Sequence, residues 1–160
     1  METSTVDLPP RLAELLDAFA LMEDRQERIE ALIATAQRFR SVPEEVARRP
    51  FPEDRRVPHC ESEAFIFWRE QPDGTLKYDF AVENPQGISA MATAVILDET
   101  LSGAPLAQVA RVPADVIYSI FGRELSMGKS MGLMAMVQMA TAAAKRHLAR
   151  TDGPPRAGAT

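Results

Sequence analysis

The stretch Ala64-Phe65-Ile66-Phe67-Trp68-Arg69-Glu70-Gln71-Pro72-Asp73-Gly74-Thr75-Leu76-Lys77-Tyr78-Asp79-Phe80-Ala81-Val82 decides the fold class. Its first five residues form an unbroken apolar run of strand-favouring side chains. Pro72-Asp73-Gly74 supplies the turn, and Leu76, Tyr78, Phe80 and Val82 then alternate with polar or small residues. The whole reads as a β-hairpin. Because its first strand is apolar on both faces, helices must cover one side and something else must shelter the other.

The flanking segments are helical. Leu12, Leu15, Leu16 and Phe19 repeat at helical spacing behind Pro9-Pro10. Asp24 and Glu27 suggest a capping box ahead of the stripe Ile29, Leu32, Ile33 and Ala36, with Pro43 beyond it as a stop. These predict two helices packed as an N-terminal hairpin. Between Ser41 and Pro58 the prolines Pro43, Pro50, Pro52 and Pro58 alternate with charges, which predicts an extended linker. After Asn84-Pro85, Ile88, Met91, Ala92 and Val95 mark a third helix that ends at Ser102-Gly103. Short helical turns are expected after Pro105 and Pro113, although Val116 to Phe121 also has the composition of a strand. A long last helix starts near Ser126, carries Leu133, Met136, Val137 and Ala140 on one face, and reaches Lys145-Arg146-His147, where cations suit a helix C-terminus. The expected fold class is α+β: one compact domain over residues 8–148, with an N-terminal helical hairpin, a small antiparallel sheet and C-terminal helices. A flexible N-terminus (1–7) and a disordered tail (149–160) would flank it.

The chain has 160 residues, 46% hydrophobic and 26% charged, with net charge −5, which suits one globular domain with a core of its own. The acidic balance argues against a general grip on nucleic acid, which needs a basic surface. No apolar run approaches the ~20 residues that span a bilayer, and the polar, acidic start is unlike a secretory leader. A reducing, cytoplasmic setting is therefore expected. The single cysteine forms no intrachain disulfide, and two histidines beside it are too few for a closed zinc site.

Several motifs invite a chemical reading. Gly122-Arg-Glu-Leu-Ser-Met-Gly128-Lys129-Ser130 looks like a phosphate-binding loop, but five residues separate its glycines where four are needed to curl backbone N–H groups around phosphates. Met127, Met131, Met134, Met136 and Met139 are read as core filling. The run Glu23 to Arg28 is read as a solvated helix face with an Asp24–Arg28 pair, and His147 as a surface residue that complements the helix dipole. Cys60 stands apart, between the proline-rich segment and the first strand. Arg56 and His59 would favour its thiolate while Glu61 and Glu63 would oppose it, so local chemistry leaves open a reactive thiol or a small core hydrophobe. A cysteine hydrolase would also need an oriented histidine. His59 is adjacent on an extended chain and so points to the other face, and nothing local brings His147 near. Accepting sulfur from a persulfide needs only one mobile thiolate.

The order of motifs resembles the SufE family of sulfur-acceptor proteins. Glu23-Asp24-Arg25 and Leu32-Ile33 resemble the family's second helix, and Val57-x-His59-Cys60-Glu61-Ser62-Glu63-Ala64-Phe65 its cysteine and strand signature. Leu101-Ser102-Gly103-Ala104-Pro105 is similar to its turn before a short helix, and Leu125 to Leu133, through Met136, to the opening of its last helix. His59 stands where the family usually has glycine, Glu61 and Glu63 where it has glutamines, and Lys129 where it has arginine. The resemblance implies a compact SufE/NifU-like fold and a cytoplasmic sulfur shuttle that activates its donor. Cys60 would accept persulfide sulfur from a SufS-like cysteine desulfurase and pass it to a SufBCD-like iron–sulfur cluster scaffold, and His59, Glu61, Ser62, Arg56 and Lys129 would support it or contact the partner. No cofactor or metal would be bound by this chain; pyridoxal phosphate would belong to the desulfurase. The protein would be a monomer or homodimer without independent turnover, and the loop from Pro58 to Glu61 would shelter Cys60 until a partner docks. The alternatives are an interaction module with an incidental cysteine and, further off, a cysteine-dependent transferase.

Overall fold

A computed structural model describes residues 7–152. The elements in order are α1 (Pro10–Ala20), α2 (Arg25–Ala36), a 3-10 turn (Glu53–Arg55), β1 (Ala64–Glu70), β2 (Leu76–Val82), α3 (Ile88–Leu101), α4 (Leu106–Val109), α5 (Val116–Phe121) and α6 (Met127–Asp152). This is the mixed α+β single domain anticipated.

The hairpin forms as read. β1 and β2 pair antiparallel with Ala64 opposite Val82, Ile66 opposite Phe80 and Trp68 opposite Tyr78. Gly74 adopts φ +89° in the turn, a conformation that glycine takes without a Cβ penalty, and the Asp73 carboxylate accepts from the Thr75 N–H at 3.0 Å. Ile66, Tyr78 and Phe80 face the main core with α3 and α6. Tyr78 is fully buried, and its hydroxyl donates to the Ala140 carbonyl of α6 at 2.7 Å. Burial pushes its phenol well above the ordinary tyrosine range.

Phe65, Phe67 and Ala81 face the opposite way, and what covers them is the segment expected to be a linker. Val42 and Phe51 bury themselves there, with the Phe51 ring centroid 5.1 Å from that of Phe65 and 5.5 Å from that of Phe67. The segment is irregular because of its prolines, yet it forms part of the core. α3 is the central helix, packed against β2, α1, α2 and α6. Its alanines Ala90, Ala92 and Ala94 permit close approach on several sides, and its buried threonines return their hydroxyls to backbone carbonyls one turn back. α1 and α2 meet in a cluster of Phe19, Leu32, Ala36, Ala92, Ile96 and Ile120, with α3 as their common support.

Local departures from the sequence reading have physical causes. Val116 to Phe121 is helix, because burying Val116, Ile117 and Ile120 on one side needs helical spacing. Asp24 caps α2 through the Gln26 N–H at 3.0 Å, with no part for Glu27 in that bond. Arg28 belongs to no solvated face. Its guanidinium donates to the carbonyls of Phe19, Met22, Ser119 and Ile120 at 2.8 to 3.3 Å, tying the ends of α1 and α5 to α2. Of the methionines, Met136 is fully buried, whereas Met127 is 77% and Met131 43% exposed. α6 continues past Lys145-Arg146-His147 to Asp152, so His147 lies within the helix and is buried. Its Nδ1 lies 2.9 Å from an Arg150 nitrogen and its Nε2 3.6 Å from Glu70. The expected tail is helical through Asp152, and residues 1–6 and 153–160 lie outside the described residues. Among the described residues no helix is long and apolar enough to cross a membrane.

Candidate functional site

The chain closes a small loop at the start of β1. The Val57 N–H donates to the Ala64 carbonyl at 2.8 Å, and an isolated bridge joins Arg56 to Phe65. Between these ties runs Pro58 to Glu63. His59 and Glu63 both take left-handed backbone conformations, with φ +63° and +53°. A side chain at such a φ crowds its own backbone, and histidine tolerates this better than most residues other than glycine. His59 thus holds a backbone conformation that glycine would take without a Cβ penalty.

The loop is held on three sides. Glu63 N–H donates to the Cys60 carbonyl at 3.2 Å, closing a turn over the cysteine, while Glu83 and Asn84 donate to the carbonyls of Glu63 and Ser62, each at 3.1 Å. Two glycines make room for it. A Cβ on Gly87 would stand 2.7 Å from Ser62 Oγ, and one on Gly132 of α6 would stand 2.9 Å from both Cys60 Cα and the His59 carbonyl oxygen. Cys60 thus rests on the bare flank of α6, half-buried and packed against the main core, while His59 is exposed. The seat was not read from the sequence. A glycine inside an otherwise helical pattern was its only signal, since such a glycine often marks a close approach.

The charged neighbours divide their roles. Arg56 makes a two-pronged pair with Glu53, both bonds at 3.1 Å, and its guanidinium carbon lies 4.7 Å from the Phe65 ring centroid. That hydrogen-bonded pairing holds Glu53 below the usual carboxylate range and raises Arg56 further. Arg56 is therefore committed to Glu53 rather than turned wholly toward the thiol. The Glu61 carboxylate lies 3.8 Å from where a Gly128 Cβ would be, at the positive end of the α6 dipole. Lys129 is exposed, and its backbone N–H is capped by Ser126 Oγ at 3.3 Å. Ser62 is half-buried under Gly87. His59, Cys60, Glu61 and Ser62 are thus grouped by the loop, Lys129 stands on the adjoining first turn of α6, and Arg56 sits at the loop's base. His147 lies about 22 Å along α6 from Gly132, at ~1.5 Å per residue, and so is not paired with the cysteine. Among the described residues no group of three or more histidine, cysteine or acidic side chains is placed to hold a metal ion.

The surface beside the loop is open. A groove of about 660 Å³ runs between α2, the first turn of α3, the α5–α6 connection and Lys129. The glycine-rich stretch that resembles a phosphate loop forms that connection. It joins two helices rather than a strand and a helix, so the backbone cradle of such a loop is not built.

Three comparisons bear on identity. No curated protein matches the chain. The solution structure of a hypothetical protein from Thermus thermophilus is similar, with a TM-score of 0.65 at 23% identity, covering 88% of this chain and 98% of that one, and that likeness speaks to the fold. The family model for SufE, described as an Fe-S metabolism associated domain, matches residues 13–144, a span that takes in the Cys60 loop and the glycine seat beneath it. The chain belongs to the SufE family and, with it, to iron–sulfur metabolism.

Proposed function

We propose that the protein is a sulfur acceptor and carrier that works through Cys60. The Cys60 thiolate attacks the outer sulfur of a persulfide on a cysteine desulfurase; a new S–S bond forms at Cys60, and the donor's own S–S bond breaks. The donor cysteine leaves as a thiolate and takes up a proton, balancing the one Cys60 lost, so the exchange needs no external oxidant or reductant. The carried sulfur then goes to an iron–sulfur cluster scaffold by the same exchange. Pyridoxal phosphate belongs to the donor. No second catalytic group and no cofactor of this chain is required, and the reading includes stimulation of the desulfurase by removal of its product and a cytoplasmic setting, where thiols stay reduced.

The observation that carries the reading is the placement of the one cysteine of the chain on a loop hinged between two left-handed residues, seated against a glycine of α6 rather than locked in the core. A thiol so placed is sheltered when idle and needs only a loop movement to emerge. In this reading His59 and Glu63 set the hinge, Glu61 and Lys129 meet the partner's surface, Ser62 anchors the far side of the loop and Arg56 braces its base.

The test is intact-mass spectrometry under non-reducing conditions after incubation with a cysteine desulfurase and cysteine. Wild type should gain about 32 Da per sulfur, removable by a thiol reductant, and Cys60→Ser should gain nothing. Equal gain on both proteins, or no gain with the desulfurase of the same organism, would sink the proposal.

A further inference from the structure

The end of α6 remote from the cysteine carries positive charge that the acids around it do not neutralise. Trp68, the only tryptophan of the chain, is half-buried near the end of β1, with the guanidinium carbon of Arg55 3.9 Å and that of Arg146 5.6 Å from its ring centroid. Both lie within the range at which an aromatic face attracts a cation. Sharing one ring, the two charges are within about 10 Å of each other, about one Debye length, and repel. Arg150 follows Arg146 by one turn of α6 and adds a third guanidinium.

The acids of the region are committed elsewhere or stand off. Glu53 pairs with Arg56, Asp79 pairs with Lys77 and Arg69, and Asp73 is bonded to Thr75 within its own turn. Glu70 is turned on His147, 3.6 Å from Nε2, and the other imidazole nitrogen faces Arg150 at 2.9 Å. Asp54 reaches Arg55 only at 4.0 Å and is 84% exposed, while Arg55 Nη1 is buried with no hydrogen-bond partner. The one acid in the last two turns of α6 is its final residue, Asp152. Lys145, Arg146 and Arg150 are exposed and pair with no carboxylate among the described residues. A chain of net charge −5 thus gathers uncompensated cations at one end.

We propose that Arg55, Arg146 and Arg150, grouped around Trp68, form a docking surface for a short acidic segment of a partner protein, which lays its carboxylates on the guanidiniums. A guanidinium fork takes a carboxylate through two parallel N–H bonds. Trp68 holds two of the forks against one rigid ring, so less side-chain freedom is lost when the anion arrives. Three forks on two elements call for several carboxylates carried on one chain rather than a single small ion. Nucleic acid fits less well. Its charge continues past the patch over a protein that is acidic on balance, whereas a segment of a few acidic residues ends where the patch does. The surface stands apart from the cysteine, since Arg146 lies about 21 Å along α6 from Gly132, at ~1.5 Å per residue. A segment seated there does not cover the Cys60 loop, so the inference goes beyond the carrier reading and does not depend on it.

Trp68 is itself the reporter, because no other tryptophan contributes to the emission. The full chain is titrated at low salt with hexaglutamate, with inorganic phosphate and with an oligothymidylate of the same charge as the peptide, for wild type, Arg146→Glu, Arg55→Lys and Arg123→Glu. Midpoints, checked by isothermal titration, are compared, since the substitutions also alter the amplitude. Hexaglutamate should change the emission of wild type saturably, with an affinity that falls as salt rises. Arg146→Glu should weaken it by about tenfold or more, and Arg55→Lys, which keeps the charge but loses the fork, by a few-fold. Arg123→Glu, the same charge change at an exposed site ahead of the other end of α6, should stay within about twofold of wild type. Unchanged melting of Arg146→Glu, expected because Arg146 is exposed, separates lost binding from lost folding. No response of wild type to hexaglutamate, or equal midpoints for wild type and Arg146→Glu, overturns the proposal. Equal weakening by Arg123→Glu and Arg146→Glu reduces the effect to net charge and overturns it as well. Phosphate that binds as tightly as the peptide makes this a small-anion site, tighter binding of oligothymidylate makes it a nucleic-acid surface, and either result overturns the acidic protein segment as occupant.

Discussion

A Cβ at position 132 would meet the Cys60 Cα and the His59 carbonyl oxygen, both at 2.9 Å, and both are backbone atoms that cannot swing aside. Alanine favours a helix over glycine by about 1 kcal/mol, but overpacking against fixed atoms costs about 1 to 3 kcal/mol, so the clash wins. Gly132→Ala is expected to lower stability by about 1 kcal/mol in urea titration and to lift the loop. Cys60 should then react measurably faster with an aromatic disulfide reagent. Gly128→Ala, whose nearest neighbour would be Glu61 at 3.8 Å, should change neither quantity adversely. The contrast isolates the seat from helix propensity, since both positions lie in α6. At this scale the sequence was partly legible. Cys60 stood out because it is the only thiol, but its local chemistry left a reactive thiol and a small core hydrophobe both open, and the resemblance to the family chose between them. The seat did not stand out, because nothing along the chain says which distant glycine will lie beneath which loop, and the left-handed φ of His59 shows only once the backbone is traced.

The elements are held by a few side chains whose partners are remote in sequence. Arg28 satisfies carbonyls at the ends of both α1 and α5, where such groups lack intrahelical partners and the helix dipoles are negative. Arg28→Met should cost about 2 to 4 kcal/mol by thermal or urea unfolding, because several part-buried acceptors lose a charged donor together; Arg28→Lys should recover only part of it, as one ammonium cannot span all of them. The sequence alone makes this residue look solvated, because a charge run shows its composition and not the convergence of two helix ends upon it. Arg49 and Glu83 provide a second link, a two-pronged pair with both bonds at 2.7 Å joining the 41–58 segment to the end of β2, where Glu83 also donates its N–H to the Cys60 loop. Arg49 holds the Glu83 carboxyl below the ordinary carboxylate range. The folded state therefore favours the ionised form, so its contribution is fully present above the unfolded pKa and is lost as pH falls through the folded one. Melting curves between neutral pH and about pH 3 should show a shallower acid loss for Glu83→Gln than for wild type. An equal slope for the two proteins would assign the pair no part in stability. The pair is largely solvent-facing on the arginine side, so the difference between the two slopes is small.

Across the whole molecule, the arrangement follows from a sheet of only two strands. A lone hairpin is marginal in water, and this one is apolar on both faces, so it must be buried twice. α3 and α6 supply one cover and the 41–58 segment the other. The sequence already carried the demand for a second cover in the run Ala64 to Trp68. What it hid was the supplier, because Pro43, Pro50, Pro52 and Pro58 exclude regular structure without excluding burial, and an irregular segment can still lay down Val42 and Phe51. The site depends on this cover. Phe65 follows the Cys60 loop directly in β1 and packs on Phe51, and Arg49, beside Phe51 in the chain, bonds to Glu83. Phe51→Ala would empty the space between Phe65 and Phe67, and a buried Phe→Ala change costs about 3 to 5 kcal/mol. Since Phe51 lies near the surface of its cluster and the segment can partly collapse, about 3 kcal/mol is expected in urea titration. The loss should be accompanied by faster hydrogen exchange at Val57 and Ala64 as well as in the 41–58 segment. If exchange rose only within that segment, the cover would be a passive wrap independent of the cysteine loop, whereas a joint rise would make the far face of the hairpin part of what holds Cys60 in its seat.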